Sequence, residues 1–476
     1  MVLTSQTVLI HVRNLLVPMK PKFTTAAIAV LGLLTSACTV VPQRGEVGPV
    51  LPAQFDSPES APAPTLWWSI FGDAQLDALI REALKNNPGI HGVEAQLRAA
   101  LASADAAGAG LIPEVAFELS HRSGSQEAGV AQRDESAGLS AAYEVDLWGR
   151  VRASRNAAVF NAQASEQELF SAQVSLSANV AILWFQTGTA AQQLVLIEQE
   201  RERYARILKL MEVRFRNGLA AASDVLRQRQ LLESTRALEA QAQADLGVLQ
   251  HALEELLGKV AGSGAYLGAA PGEVVVSGPN GVPATVVNRR PDVQQTWLQV
   301  RAADEAVAGA IASRFPQINL SFSYASQNGR SAALFQDWID TFVASLALPL
   351  IDGGSRRAEV TRTQAVLDQR IAEYRSSVLT AFREIQDAQL RLEKSHLRIS
   401  SLEEQLRISS AVLERVERQL RQGGADYLAV LDAQIADSSL RRDVLSARQL
   451  QLEQQIALLR ATAGPLPMTS SREKKA

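Results

Sequence analysis

The sequence offers one thiol and five imidazoles, and no arrangement of either that could run a reaction. Cys38 is the only cysteine, so no disulfide can form within the chain. His11, His91, His121, His251 and His396 are scattered and pair at no metal-ligand spacing. A GKS or GKT phosphate loop, an HExxH helix and a GxSxG elbow are absent, and Gly262, Gly264 and Gly268 miss the dinucleotide spacing. No catalytic constellation is visible, which points away from an enzyme. Net charge is −3 over 476 residues with no basic tail or face, so nucleic acid is not an expected partner. The chemistry that remains is modification of Cys38. Lys20 and Lys22 form a short positive region, and residues 23–34 an apolar run too short to cross a bilayer of about 30 Å as a helix. Thr35-Ser36-Ala37-Cys38 then reads as a small-residue cleavage site.

This is the layout of a secretory leader over residues 1–37, with Met19, which begins its better-shaped part, the expected true start. It resembles a bacterial lipoprotein signal, which implies acylation of Cys38. Thr35 stands where that signal usually has leucine, and the alternative is ordinary cleavage near Ala37 with an unmodified thiol. Thr39 is not aspartate, so the common inner-membrane retention signal is missing. Removing residues 1–37 takes away three cations and no acids, which moves the net charge from −3 to about −6. Residues 38–64 carry Pro42, Pro49, Pro52, Pro58, Pro62 and Pro64 and read as an extended tether. No further apolar run reads as a membrane helix.

The remainder is two copies of one unit, 65–258 and 291–464, joined by a linker over 259–290 and followed by a tail over 465–476. Pro88 opens "PGIHGVEAQLRAALASADAAGAGLIPEVAFELS" and Pro291 opens "PDVQQTWLQVRAADEAVAGAIASRFPQINLSFS". Each places a proline 25 residues on, at Pro113 and Pro316, before an alternating run. "RNGLAAASDVL" around Gly218 aligns with "RQGGADYLAVL" around Gly423. Each unit reads helix, strand, loop, strand, very long helix, turn, long helix. The strands are expected near 113–122, 137–147, 316–326 and 340–350. Val115, Phe117 and Leu119 interleave there with Ala116, Glu118 and Ser120, as a tilted transmembrane strand requires. A half-buried soluble sheet has the same alternation.

The helices decide between these. In the second unit Ile371, Tyr374, Val378, Ala381, Ile385, Ala388, Leu392, Ser395, Ile399, Leu402, Leu406, Ser409, Leu413, Val416 and Leu420 form a heptad seam broken only by two serines. The first unit repeats it from Leu176 to Phe215, with Thr187 and Arg201 as interruptions. A helix over 149–216 is about 100 Å long at 1.5 Å per residue, a length suited to a tube crossing the periplasm. Four strands cannot close a barrel, and an open edge cannot rest in lipid. The chain is therefore expected to oligomerise, with eight strands from a dimer or twelve from a trimer.

"WWSIFGDAQLDALIREALKNNP" (67–88), "YEVDLWGRVR" (143–152), "RRPDV" (289–293), "RFPQINLS" (314–321), "LALPLIDGGSRRAEV" (346–360) and "ADYLAVLDAQ" (425–434) resemble signatures of the TolC-like outer-membrane factor family, in its lipoprotein (NodT-like) branch. The resemblance implies a membrane β-barrel of twelve strands, four from each chain of a homotrimer, continued by a long α-helical coiled-coil barrel. Residues 259–290 and the chain ends would form a middle belt, and loops 123–136 and 327–339 would face outside the cell. It also implies an exit duct in the outer membrane, anchored in its lipid and working with a periplasmic adaptor and an inner-membrane transporter, with no cofactor and no metal.

On the matched positions, Leu428 and Asp432 fall at the periplasmic aperture. Three copies of Asp432 on one axis would repel one another and attract cations. Ile435 stands where many relatives carry arginine, so an arginine lock there is not carried over. Gly218, Leu219, Gly423 and Gly424 lie in the two helix–helix turns expected to form the tip, where relatives meet the adaptor. Two other readings stay open: a duct for polypeptide secretion, and a lipidated periplasmic adaptor or scaffold.

Overall fold

The computed structural model describes Pro49, Leu51 and residues 66–125, 131–264, 266–269, 283–328, 335, 337–422, 424 and 426–463. They lie in one compact unit, Gly48–Ala476; the other unit, Met1–Val47, is outside the described residues, and with it Cys38 and the expected leader. Most of the expected tether is likewise outside them.

After a short 3-10 turn at Trp67–Phe71 come α1 (Ala74–Asn86), α2 (Pro88–Ala109), β1 (Glu114–Ser125), β2 (Ala131–Val145), α3 (Arg150–Arg216) and α4 (Ala222–Leu256). A one-turn helix, α5 (Pro283–Val287), precedes α6 (Pro291–Ala312), β3 (Gln317–Asn328), β4 (Ile339–Ala347), α7 (Ser355–Gln422) and α8 (Tyr427–Thr462). The order helix, two strands, two long helices thus occurs twice. Asp73 caps α1 by accepting from the N–H groups of Gln75 and Leu76, and Asn87 caps α2 in the same way, with Pro88 in the first turn.

The strands form one antiparallel sheet in the order β1-β2-β3-β4, leaving β1 and β4 as its edges. Its two faces differ. Phe117, Leu139 and Tyr324 share one register row, and Val115, Ala141, Phe322 and Phe342 another, all on the apolar face. Ser120 stands opposite Ser136 on the other face, their hydroxyls 2.8 Å apart, with Glu118, Ser140 and Ser323 nearby in register. Val115, Phe117, Leu119, Phe342 and Leu346 are largely exposed, so much of this apolar face has no cover from the described residues, while Ala137 and Ser326 in register with Leu119 are buried. Pairing runs on beyond the apolar band: His121 meets Glu135 and Ser125 meets Ala131. Positions 123–125, 131–136, 327–328 and 339, expected as loop, are therefore strand. The polar ends lack apolar alternation, while the backbone ladder needs none.

α3 and α7, with 67 and 68 residues, are about 100 Å long. Every position of the α7 seam from Ile371 to Leu420 is buried or half-buried. The seam packs α7 against α8 and, higher up, against α6; α3 packs against α2, α4, α6 and α8. Contrary to expectation, α3 holds an 18-residue window apolar enough by composition to cross a membrane. That apolarity has a packing cause, since Val174, Val180, Ala181, Trp184 and Phe185 join Trp67, Ile80, Ile385, Leu392, Leu452 and Ile456 in the main core. Residues 266–269 cross α3 so closely that a Cβ on Gly188 would lie 2.0 Å from the Ala269 oxygen, which excludes any larger residue there.

Each long helix leaves its strand through a corner locked by a carboxylate. Asp146 accepts from the N–H groups of Val151 and Arg152 at 3.0 and 2.9 Å beside Gly149, whose φ of +79° suits glycine. Asp352 accepts from Gly354 and Arg356 at 3.0 and 3.2 Å. Burial alone would raise the Asp146 pKa, but these bonds and the Arg152 charge hold it below the usual value.

Candidate channel aperture and tip

The far ends of the two long hairpins meet. α3 ends in a turn at Gly218, with φ +74°, where Leu219 N–H donates to the Arg214 carbonyl at 2.8 Å and its side chain is 66% exposed. The other turn contains Gly424, whose N–H donates to the Gln419 carbonyl at 2.9 Å, and Asp426, which caps α8 at Leu428. Gly423 is outside the described residues. Arg214 joins the turns by donating to the Leu420 carbonyl at 2.9 Å and the Leu219 carbonyl at 3.5 Å. Beneath them Met211, Leu420, Tyr427 and Val430 form a small separate core.

Leu428 and Asp432 lie one helical turn apart on the exposed face of α8, with Leu428 43% exposed. The same face continues through Ile435, Ala436, Asp443, Ser446 and Leu450. The structure thus places both residues next to the tip and outside the protomer's own core.

The opposite face of α8 was not legible as a site and is the more structured one. Asp437, 0% exposed, accepts from Ser410 of α7 at 2.5 Å, from Arg441 at 2.7 Å and from Arg203 of α3 at 3.4 Å. Burial would raise its pKa, but these donors and both guanidinium charges hold it below the usual carboxylate value. A second chain of bonds runs beside it. The Tyr427 hydroxyl donates to Gln228 of α4 at 2.7 Å, Gln228 donates to the Tyr204 carbonyl at 3.0 Å, and the Tyr204 hydroxyl meets Ser438 at 3.1 Å. Burial, then the Asp224 charge, pushes the Tyr427 pKa up to about 12, so its hydroxyl stays a donor. Higher on the same contact, Arg442 pairs with Glu200 at 2.7 Å, Gln449 with Thr189 at 2.6 Å and Glu453 with Gln186 at 2.7 Å. The signal for this row was the polar residues Gln434, Asp437, Ser438, Gln449 and Gln455 recurring at helical spacing on one face. Among the described residues no group of three or more His, Cys, Asp or Glu side chains could hold a metal.

A family model described as outer membrane efflux protein matches residues 79–259 and 282–464, both halves of this architecture. The chain belongs to the outer membrane efflux protein family. It is similar to the pyoverdine export outer membrane protein OpmQ of Pseudomonas aeruginosa, at 29% identity over 91% of this chain and 93% of the relative. It is also similar to the cation efflux system protein CusC of Escherichia coli, at 24% identity over 91% of this chain and 98% of the relative. Among solved structures, that of the outer-membrane channel OprN matches with a TM-score of 0.83 and 27% identity, over 90% of this chain and all of that one. Members of the family are transport channels, and this chain is an outer-membrane efflux channel.

Proposed function

We propose that three copies of this chain form the passive exit duct of a tripartite efflux pump, anchored in the outer membrane through acylated Cys38. The observation that carries the reading is the four-stranded sheet. Its apolar face is largely exposed, its edges β1 and β4 are unpaired among the described residues, and it leads directly into helices of about 100 Å. Open edges in lipid cost several kcal/mol for each unpaired backbone group, and closure by symmetry removes them. Twelve strands from three chains, formed by two duplicated units in each, would then carry a polar lumen lined by Ser120, Ser136, Ser140 and Ser323.

The helices extend this lumen towards the inner membrane, where the tips meet. Leu428 and Asp432 form the aperture there, as an apolar step and a charged ring. Gly218, Leu219, Gly423 and Gly424 form the turns on which a periplasmic adaptor docks, and an inner-membrane transporter behind the adaptor supplies the energy. The test is single-channel recording of the purified protein in planar bilayers, with chemical crosslinking to count subunits. Discrete openings from a crosslinkable trimer are expected. A folded protein recovered only as a soluble monomer overturns the reading.

A further inference from the structure

A basic groove lies high on the α7–α8 pair, well away from the tip. Arg391, Lys394 and Arg398 project from one side of α7 at helical spacing, above a floor made of Ala447, Leu450 and Gln454 of α8 with Ser395 between them. The groove holds about 390 Å³, the range in which small organic ligands are bound. Its charge is not neutralised locally. Arg391 and Arg398 form no ion pair with any described residue, and Lys394 pairs only with its chain neighbour Glu393 at 2.5 Å, both largely exposed. The nearest other carboxylates of α7 are engaged elsewhere: Asp387 holds Arg383 at 3.0 Å, and Glu403 holds Arg448 at 2.7 Å.

The groove's place follows from helix geometry. Leu450 and Asp432 are 18 residues apart, five whole turns at 3.6 residues per turn, so they share one face of α8 about 27 Å apart. If Asp432 lines the bore near the tip, the groove lines the same bore further up; this step rests on the duct reading above. The bore then changes sign along its length, from acidic Asp432 and Asp443 to a basic station with an apolar floor.

We infer that this groove is a transit site for amphipathic organic anions, compounds with a compact apolar body and a carboxylate, sulfonate or phosphate. The body covers Leu450 and Ala447, and the anion takes charge-assisted hydrogen bonds from Arg391 and Arg398, with Lys394 as a further point charge. A neutral compound of the same shape gains only the floor, and a small inorganic anion only the cations. Recognition of this kind holds a solute weakly enough to pass while excluding cations that the acidic tip admits.

The experiment uses the full-length protein in planar bilayers, with naphthalene-1-sulfonate as probe and naphthalene-1-methanol as its neutral counterpart. The sulfonate is expected to block conductance, the alcohol at least tenfold less well. R391Q/K394Q/R398Q is expected to weaken the sulfonate block at least tenfold. Block of equal strength in the triple variant, in channels that still open, overturns the inference. Calorimetric titration of the detergent-solubilised protein separates this result from failure of the duct. Sulfonate binding lost in the triple variant upholds the groove even without conductance, and absence of binding to the wild-type protein overturns it. R391K/R398K, which keeps charge but not the guanidinium fork, is expected to retain part of the binding and guards against a folding artefact.

Discussion

The two contacts made by α8 differ in the balance of their materials, although both carry polar bonds: Ser410 of α7 also donates to Asp437, and Glu403 of α7 pairs with Arg448. Leu452, Ile456 and Leu459 of α8 share the main apolar core with Val378, Ile385 and Leu392 of α7, its hairpin partner. Towards α3, in the other hairpin, α8 presents a ladder of Asp437, Ser438, Arg442, Gln449 and Glu453 against Arg203, Tyr204, Glu200, Thr189 and Gln186. An apolar seam resists separation by the whole area it hides from water. A polar ladder exchanges each bond for water at a net loss of about 0.5–1.5 kcal/mol. The apolar part of each contact therefore resists separation as a whole, and the polar bonds at the joint between α3 and α8 can exchange one at a time.

The largest effect expected from this contrast is on the seam. Ile385→Ala removes a fully buried side chain and should cost about 2–5 kcal/mol, read as a lower midpoint in denaturant with little change in conductance. Next comes the ladder: Asp437→Asn should cost about 1–3 kcal/mol and raise open probability, because it strips Arg203 and Arg441 of their shared partner. A double-mutant cycle with Arg203→Gln should show coupling, and strict additivity would mean that the two residues do not act together.

Acid tests the same joint without mutation. The folded-state pKa of Asp437 lies below its ordinary value of 3.8, so its stabilisation is complete above that value and is lost as pH falls through the lowered one. Opening should therefore become easier in the acid range below about pH 4, and Asp437→Asn should blunt that response. A smaller effect is expected at Gly218, where Gly218→Ala forces a side chain to φ +74° at about 1 kcal/mol, visible as lower stability of the tip. Smallest in stability is Asp432→Ala, within about 0.5 kcal/mol because the residue is exposed; its conductance should nevertheless rise. An increase from Asp432→Ala with none from Asp437→Asn would place control of the aperture in charge at its mouth instead of in the joint.

What the sequence made legible depended on period. The heptad seam of α7 and the alternation of Val115, Phe117 and Leu119 are local patterns that fix helix or strand without reference to distant residues. The ladder stayed hidden because its bonds join residues more than 230 positions apart, as between Tyr204 and Ser438. A serine or aspartate on a helix looks solvated until its partner is known. The outer ends of β1 and β2 were missed for a different reason: apolar alternation reports an apolar face, whereas the register from His121–Glu135 to Ser125–Ala131 is set by the backbone ladder, with the His121 imidazole 3.3 Å from Glu135.

The carboxylate corners have a mechanical consequence. Each long helix runs without a proline from its corner to the tip, so it behaves as a lever pivoted at Asp146 or Asp352. On an arm of about 100 Å, a swing of about 5° at the pivot moves the far end by about 9 Å. Side-chain bonds to two backbone N–H groups thus fix an angle whose error is magnified at the far end of the helix. In the duct proposed above, the stiffness of the tube towards whatever grips its tip would be set where the strands end.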